Sequence, residues 1–223
     1  MFRDRQEAGQ RLADELARFR LANPTVLALP RGGVPVAAGI ARRLAAPLDL
    51  MIVRKVGSPA NPELAVAAIV DGDPPDVVLN RDVIDALGLG EGRLKTLIAR
   101  ERPELERRRR AYLGDRPPSP VAGRAAILVD DGAATGATMK VAIQALRRRA
   151  PREIVVALPV APPDTIAELG RLADRIVCLK RPEGFRALGA CYRDFSQLSD
   201  EDVMRIMRAA SVGPGGSSPR RGG

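Results

Sequence analysis

Short, nearly all-apolar runs constrain this chain more than any other feature. They are "TVLAL" (Thr25–Leu29), "LDLMIV" (Leu48–Val53), "AAILVDD" (Ala125–Asp131), "EIVVALPV" (Glu153–Val160) and "DRIVCL" (Asp174–Leu179). A strand exposed on one face alternates apolar and polar residues, so a run without that alternation suits a strand covered on both faces. Between the runs, Met1–Leu21, Val34–Leu44, Gly136–Arg149 and Pro163–Ala173 read as amphipathic helices. In the first of these, Phe2, Leu12, Leu16 and Phe19 recur at near-helical spacing. This alternation predicts an α/β fold: a doubly wound, mostly parallel central sheet with helices on both faces.

The remaining segments elaborate that core. "LAVAAIV" (64–70) and "DVVLN" (76–80) are further strands, and Asn80 is placed to cap a short helix over Arg81–Leu87. Glu91–Leu113 is a long charged helix with Pro103 in its path as a kink or break. Past Lys180 the pattern gives way to an irregular hood, about residues 180–198, holding Phe185, Tyr192 and Phe195 of the chain's six aromatics. "SDEDVMRIMRAA" is a capped final helix, and residues 211–223, rich in Gly, Pro, Ser and Arg, are expected to be a disordered tail. The expectation is one domain over residues 1–210.

Composition excludes several chemistries. There is no histidine, which removes Ser-His-Asp and Cys-His catalysis and every His-ligated metal site. Cys178 and Cys191, outside any metal-ligand spacing, read as reduced thiols of a cytoplasmic protein. No apolar run approaches a membrane span. The net charge of +9 would fit nucleic-acid binding, but Glu91–Arg110 alone holds eight basic and four acidic residues, and aromatics for base stacking make up 3%. A polyanionic small substrate explains the balance as well.

"ILVDDGAATGATM" (Ile127–Met139) carries the chemistry. It reads as a strand, a tight loop and a helix start, and ligands of open parallel sheets gather beyond the carboxyl ends of strands. Gly132 and Gly136 allow close backbone approach, and the amides of Ala134–Thr138 would converge at a helix N-terminus, an arrangement that favours a phosphate. Thr135 and Thr138 add hydroxyls. The paired acids Asp130 and Asp131 suit a vicinal diol or a Mg²⁺ ion. Spacing alone leaves a second reading equally open, an Asp-Asp-Gly turn with Thr135 capping a helix.

That stretch closely resembles the phosphoribosyl-pyrophosphate (PRPP) motif of type I phosphoribosyltransferases. "ALPRGGVPVA" (Ala28–Ala37) resembles the family's pyrophosphate loop, "VRKVGSP" (Val53–Pro59) its second-strand exit, and "CLKRPEGFRALGACYRDF" stands where its variable hood lies. The resemblance spans about Leu27–Phe195. It implies that Arg31 with the amides of Gly32 and Gly33, together with Arg54 and Lys55, meets pyrophosphate, and that the Pro30–Gly33 loop holds an unusual peptide geometry. It further implies that Asp130 and Asp131 hold the ribose diol and Mg²⁺, and that Gly132, Ala133, Ala134, Thr135, Gly136, Ala137 and Thr138 anchor the 5′-phosphate. Arg31, Lys55, Asp130 and Asp131 would be the catalytic set.

The function so implied is transfer of phosphoribosyl from PRPP to a nitrogenous base with release of pyrophosphate, and a homodimer is the default assembly. Purine-salvage members typically carry an acid where this chain has Ala134, so the acceptor stays open. The alternative is a PRPP-sensing regulator that binds RNA or DNA. Residues 57–66 read either as a mobile loop over the site or as a surface loop. Arg107–Arg110 read as a solvated helix face or as a face paired with Glu101, Glu104 and Glu106, with contact to RNA as the third alternative. One of Phe185, Tyr192 and Phe195 is expected to touch the acceptor unless all three pack the hood.

Overall fold

The computed structural model describes residues 1–62, 64–72 and 74–211. In chain order its elements are α1 (Arg5–Leu16), β1 (Thr25–Ala28), α2 (Gly33–Leu44), β2 (Leu48–Leu50), β3 (Val53–Gly57), β4 (Ala65–Val70), β5 (Asp76–Leu79), α3 (Arg81–Ala86) and α4 (Glu91–Leu113). There follow β6 (Ala125–Val129), α5 (Ala137–Arg148), β7 (Glu153–Val160), α6 (Pro163–Gly170), β8 (Arg175–Lys180) and α7 (Asp200–Ser211).

Five parallel strands in the order β2-β1-β6-β7-β8 form the central sheet. Side chains alternate between its two covered faces. On β6, Ile127 and Val129 join the core under α1, α2 and α7, while Ala126 and Leu128 join the core under α5 and α6. From β1 the chain moves outward to β2, and from β6 it moves the opposite way through β7 to β8. The order therefore reverses between β1 and β6, and the loops after these two strands diverge to opposite faces of the sheet. Such a switch point opens a crevice at the carboxyl edge.

Two helix starts show local sequence at work. Asp4 caps α1 by accepting the Glu7 amide at 2.7 Å. Ser199 and Asp202 form a reciprocal box on α7, with the Asp202 amide donating to Ser199 Oγ at 3.2 Å and the Ser199 amide to Asp202 Oδ2 at 3.0 Å. Helix α1 lies close on α2 because Gly9 lacks a side chain. A Cβ there would stand 2.5 Å from the Val36 carbonyl oxygen.

Several expectations need correction. The 48–53 run does not stay in one strand. Asp71 Oδ1 takes the Ile52 amide at 2.7 Å, so β2 ends at Leu50 and β3 starts a separate antiparallel sheet in the order β3-β4-β5. The 64–70 and 76–80 runs do supply strands, and both lie in that small sheet. The first helix spans only Arg5–Leu16. Phe2 lies ahead of it, packed on Tyr192, and Phe19 lies beyond it, 37% exposed. Asn80 supplies no side-chain cap to α3, because its side-chain Nδ2 donates back to the Ala65 carbonyl.

Pro103 does not break α4, which runs to Leu113. Both Pro103 and Ala99, whose carbonyl loses its usual donor, are exposed, so water can reach that carbonyl. The tail over 212–223 lies outside the described residues, and Ser211 closes α7. No helix among the described residues is long and apolar enough to cross a membrane.

Candidate active site at the switch point

Two loops face each other at the carboxyl edge. The first follows β1. Its Pro30–Arg31 peptide is cis, the unusual geometry that the resemblance implies for this loop. The second follows β6 and holds Asp130 to Gly136. Glycine makes their approach feasible: a Cβ on Gly33 would stand 2.6 Å from the Val129 carbonyl oxygen. A Cβ on Gly32 would collide with the Asp131 carboxylate, so that glycine and that acid are fitted to each other.

The acid pair is asymmetric. Asp131 is buried, and its Oδ2 accepts Arg5 Nε at 2.7 Å. Its backbone carbonyl accepts the Tyr192 hydroxyl at 2.6 Å. Asp130 is half-buried, and its Oδ1 accepts the Asp131 amide at 2.8 Å. No basic side chain pairs with Asp130 among the described residues. Burial, then the neighbouring Asp131 charge, raises its proton affinity well above the usual carboxylate range.

The rest of the second loop divides into used and open donors. Gly132 sits at φ +152, and a Cβ there would stand 2.9 Å from the Val160 carbonyl oxygen and collide with Leu188 of the hood. Ala133 is buried, and its amide donates to that same carbonyl at 3.0 Å, which occupies one of the expected phosphate donors. Thr165 Oγ1 donates to the Ala134 carbonyl at 2.6 Å. The amides of Ala134, Thr135, Gly136 and Thr138 take no acceptor among the described residues. Gly136, left-handed at φ +67, begins α5 without a side-chain cap. Thr135 Oγ1 stands 3.5 Å from the Ala137 amide, the outer limit of a hydrogen bond, so its hydroxyl is not committed to capping. Ala134, Thr135, Ala137 and Thr138 are exposed.

The expected pyrophosphate residues are only partly gathered. Arg31, half-exposed, leaves the first loop and stands 3.9 Å from Asp200 Oδ1 at the start of α7. The Tyr112 hydroxyl holds that same oxygen at 2.6 Å, and burial first, then this bond, pushes the phenol up to about 12. Arg54 and Lys55 lie on β3 of the small sheet. Arg54 is tied to Glu101 of α4 at 2.6 Å, and Lys55 is exposed. Residues 57–66 include the turn joining β3 to β4, in which the Ser58 amide reaches the Leu64 carbonyl at 2.8 Å.

Among the hood aromatics, Tyr192 is buried against Phe2 and Phe195 stacks on Tyr192, so both pack the hood onto the N-terminal segment. Phe185 is half-buried. Arg107 and Arg108 both pair with Glu104, and Arg109 pairs with Asp71, which spends most of the basic run on the protein itself.

Sequence reasoning missed Arg5 and Asp200, and set Glu101 against the Arg107–Arg110 run, whereas it holds Arg54. Each meets its partner across a separation with no local pattern, 126 residues for Arg5 and Asp131. As for a metal, no three acidic or cysteine side chains gather to hold one among the described residues. The donor set is one carboxylate already bonded to arginine and one that is not. That set suits Mg²⁺ carried on the oxygens of a phosphorylated ligand, not a cage built by the protein.

Comparison with known proteins agrees with this geometry. A model of the phosphoribosyl transferase domain matches residues 4–185. Two Mycobacterium tuberculosis proteins, from strains CDC 1551 / Oshkosh and H37Rv and each provisionally named a phosphoribosyl transferase, are 42% identical over 210 residues, covering 94% of this chain and 47% of theirs. The chain thus spans about half the length of the curated relatives it matches. A crystal structure of a Thermus thermophilus protein is similar at a TM-score of 0.82 with 44% identity, covering 92% of this chain and 97% of that one. The matched span takes in both loops of the crevice and Arg5 beneath them, and the chain belongs to the phosphoribosyl transferase domain family.

Proposed function

We propose that this chain binds PRPP and transfers its phosphoribosyl group to a nitrogenous base, releasing pyrophosphate. The observation that carries the reading is the placement, on one loop at the crevice, of open amides at the start of α5 next to the acid pair. A 5′-phosphate and the ribose diol a few bonds away need donors and acceptors in that order. Family membership supplies the reaction class.

In this reading the amides of Ala134–Thr138 and the Thr135 and Thr138 hydroxyls hold the 5′-phosphate, and Asp130 accepts from a ribose hydroxyl. Arg31 would leave Asp200 for the pyrophosphate, joined by the Gly32 amide and by Lys55 and Arg54, whereas the Gly33 amide is already held by the Leu29 carbonyl at 3.0 Å. Mg²⁺ bound to PRPP would neutralise charge on the leaving pyrophosphate. The acceptor nitrogen attacks the anomeric carbon as its bond to the pyrophosphate oxygen breaks, through an oxocarbenium-like state. Fixing the sugar through its remote phosphate lowers the entropic barrier to that step. With alanine at position 134, no carboxylate meets the base there, and the base remains to be found by assay.

The test is pyrophosphate release from Mg²⁺-PRPP with a panel of bases, alongside calorimetric PRPP binding. Turnover with one base is the expected result. Binding without turnover on any base would instead favour a PRPP-sensing protein, and failure of the wild type to bind PRPP would remove the reading altogether.

A further inference from the structure

We infer that Arg5 is a positioning residue that serves as a resident cation at Asp131, leaving Asp130 as the acid the pair presents to a ligand. The ligand half of this inference rests on the PRPP reading, whereas the cation half does not.

The side chains of Arg5 and Asp131 are only 11% and 9% exposed, so their pairing is not a solvent-screened surface contact. The guanidinium is held on three sides. Its Nε meets Asp131, its Nη1 donates to the Ser196 carbonyl at 2.9 Å, and its carbon lies 3.9 Å from the centre of the Phe195 ring. Release of Arg5 would break all three contacts. Asp131 is equally committed, with its side chain on α1 and its carbonyl on Tyr192 of the hood. Adjacent carboxylates without a cation attract a divalent ion. With Arg5 in place the positive charge is already supplied, and a metal approaching Asp131 meets repulsion. The two acids therefore divide their work. Asp131 fastens the N-terminal helix and the hood to the loop, and Asp130, without a basic partner among the described residues, is left to a ligand.

Thermal melting of the full chain with and without Mg²⁺ alone, and no PRPP, tests this directly. Wild type should show no Mg²⁺-dependent rise. Arg5→Met should melt lower and recover at least half the loss in Mg²⁺, because the exposed carboxylate pair then takes the ion. Arg5→Lys, which keeps the charge, should stay insensitive to Mg²⁺. Arg5→Met/Asp131→Asn should melt above Arg5→Met and lose the Mg²⁺ response. If Arg5→Met does not fold, Arg5→Gln carries the same two outcomes. A folded Arg5→Met or Arg5→Gln without a Mg²⁺ response, or a wild type that responds as strongly, would overturn the inference.

A second arm measures Mg²⁺-PRPP binding by calorimetry. Asp130→Asn should weaken it at least tenfold without lowering the melting temperature, while Asp131→Asn should lower the melting temperature. The reverse pattern would also overturn the inference. If wild type fails to bind PRPP yet the Mg²⁺ results hold, the proposed function falls and the role of Arg5 at Asp131 stands.

Discussion

Asp71 and Asp131 are both buried, and each meets one arginine, at 2.8 Å from Arg109 and 2.7 Å from Arg5. Around Asp71 the hydrogen bonding is complete. One carboxylate oxygen takes the Ile52 amide, the other takes Arg109, and its backbone carbonyl takes Arg149. That knot joins the base of the small sheet to α4 and to the end of α5. Around Asp131 the pair is just as tight, yet the preceding residue, Asp130, is a second acid with no basic partner among the described residues. A scaffold pair is closed, and a site pair leaves a remainder. What marks the functional position is the unmatched Asp130 beside the matched charges.

Removing Arg109 should produce the largest effect on this contrast. Arg109→Met leaves Asp71 buried with only the Ile52 amide on its side chain, an uncompensated charge that typically costs about 3–5 kcal/mol. Urea denaturation of the two proteins measures it. A loss under about 1 kcal/mol would mean that solvent already reaches Asp71, and the two pairs would no longer differ in kind.

The next effect is pH dependence, whose sign follows from burial. Burial pushes the Asp71 carboxyl up to about 6, with the Ile52 amide and Arg109 opposing. The folded protein then holds a proton between about pH 4 and 6 that the unfolded chain has released. Stability through this group is therefore highest below pH 4 and falls as pH rises through about 6. A shift of about two units corresponds to on the order of 3 kcal/mol at full effect. Urea midpoints at pH 5, 6 and 7 should show the slope in wild type, and Asp71→Asn should flatten it. An equal slope in the variant would assign the titration elsewhere.

The central sheet was legible because its strands are apolar on both faces, the pattern of a parallel sheet covered by helices on both sides. The loop after β6 was legible because Gly132 and Gly136 stand at positive φ and crowded approaches that glycine tolerates best. The small sheet was not. Its strand β4 is as apolar as those of the core, β3 follows β2 within one apolar run, and what separates them is one long-range bond from Asp71 to the Ile52 amide. Arg5 was illegible for the same reason. Within its own helix it is one more charge after an N-cap, and only the packing of α1 on α2 through Gly9 carries it to Asp131. Charges read from sequence had known signs but unknown partners. Arg54 looked like a ligand for pyrophosphate and is tied to Glu101.

The smallest expected effect on folding extends the contrast to helix starts, where closed and open ends also differ. Helix α7 carries three acids in its first turn and a complete Ser199–Asp202 box, whereas α5 has neither an acid in its first turn nor a side-chain cap. Thr138, exposed in that first turn, is the place to close the open end. Thr138→Asp puts a carboxylate against the positive end of the helix dipole, which should stabilise folding by about 0.3–1 kcal/mol. The same carboxylate would repel an incoming phosphate, so PRPP affinity should fall at least tenfold, a loss of about 1.4 kcal/mol. Calorimetry and urea denaturation on one preparation separate the two terms. A gain in stability with unchanged PRPP affinity would show that the open amides of α5 are not where the phosphate sits.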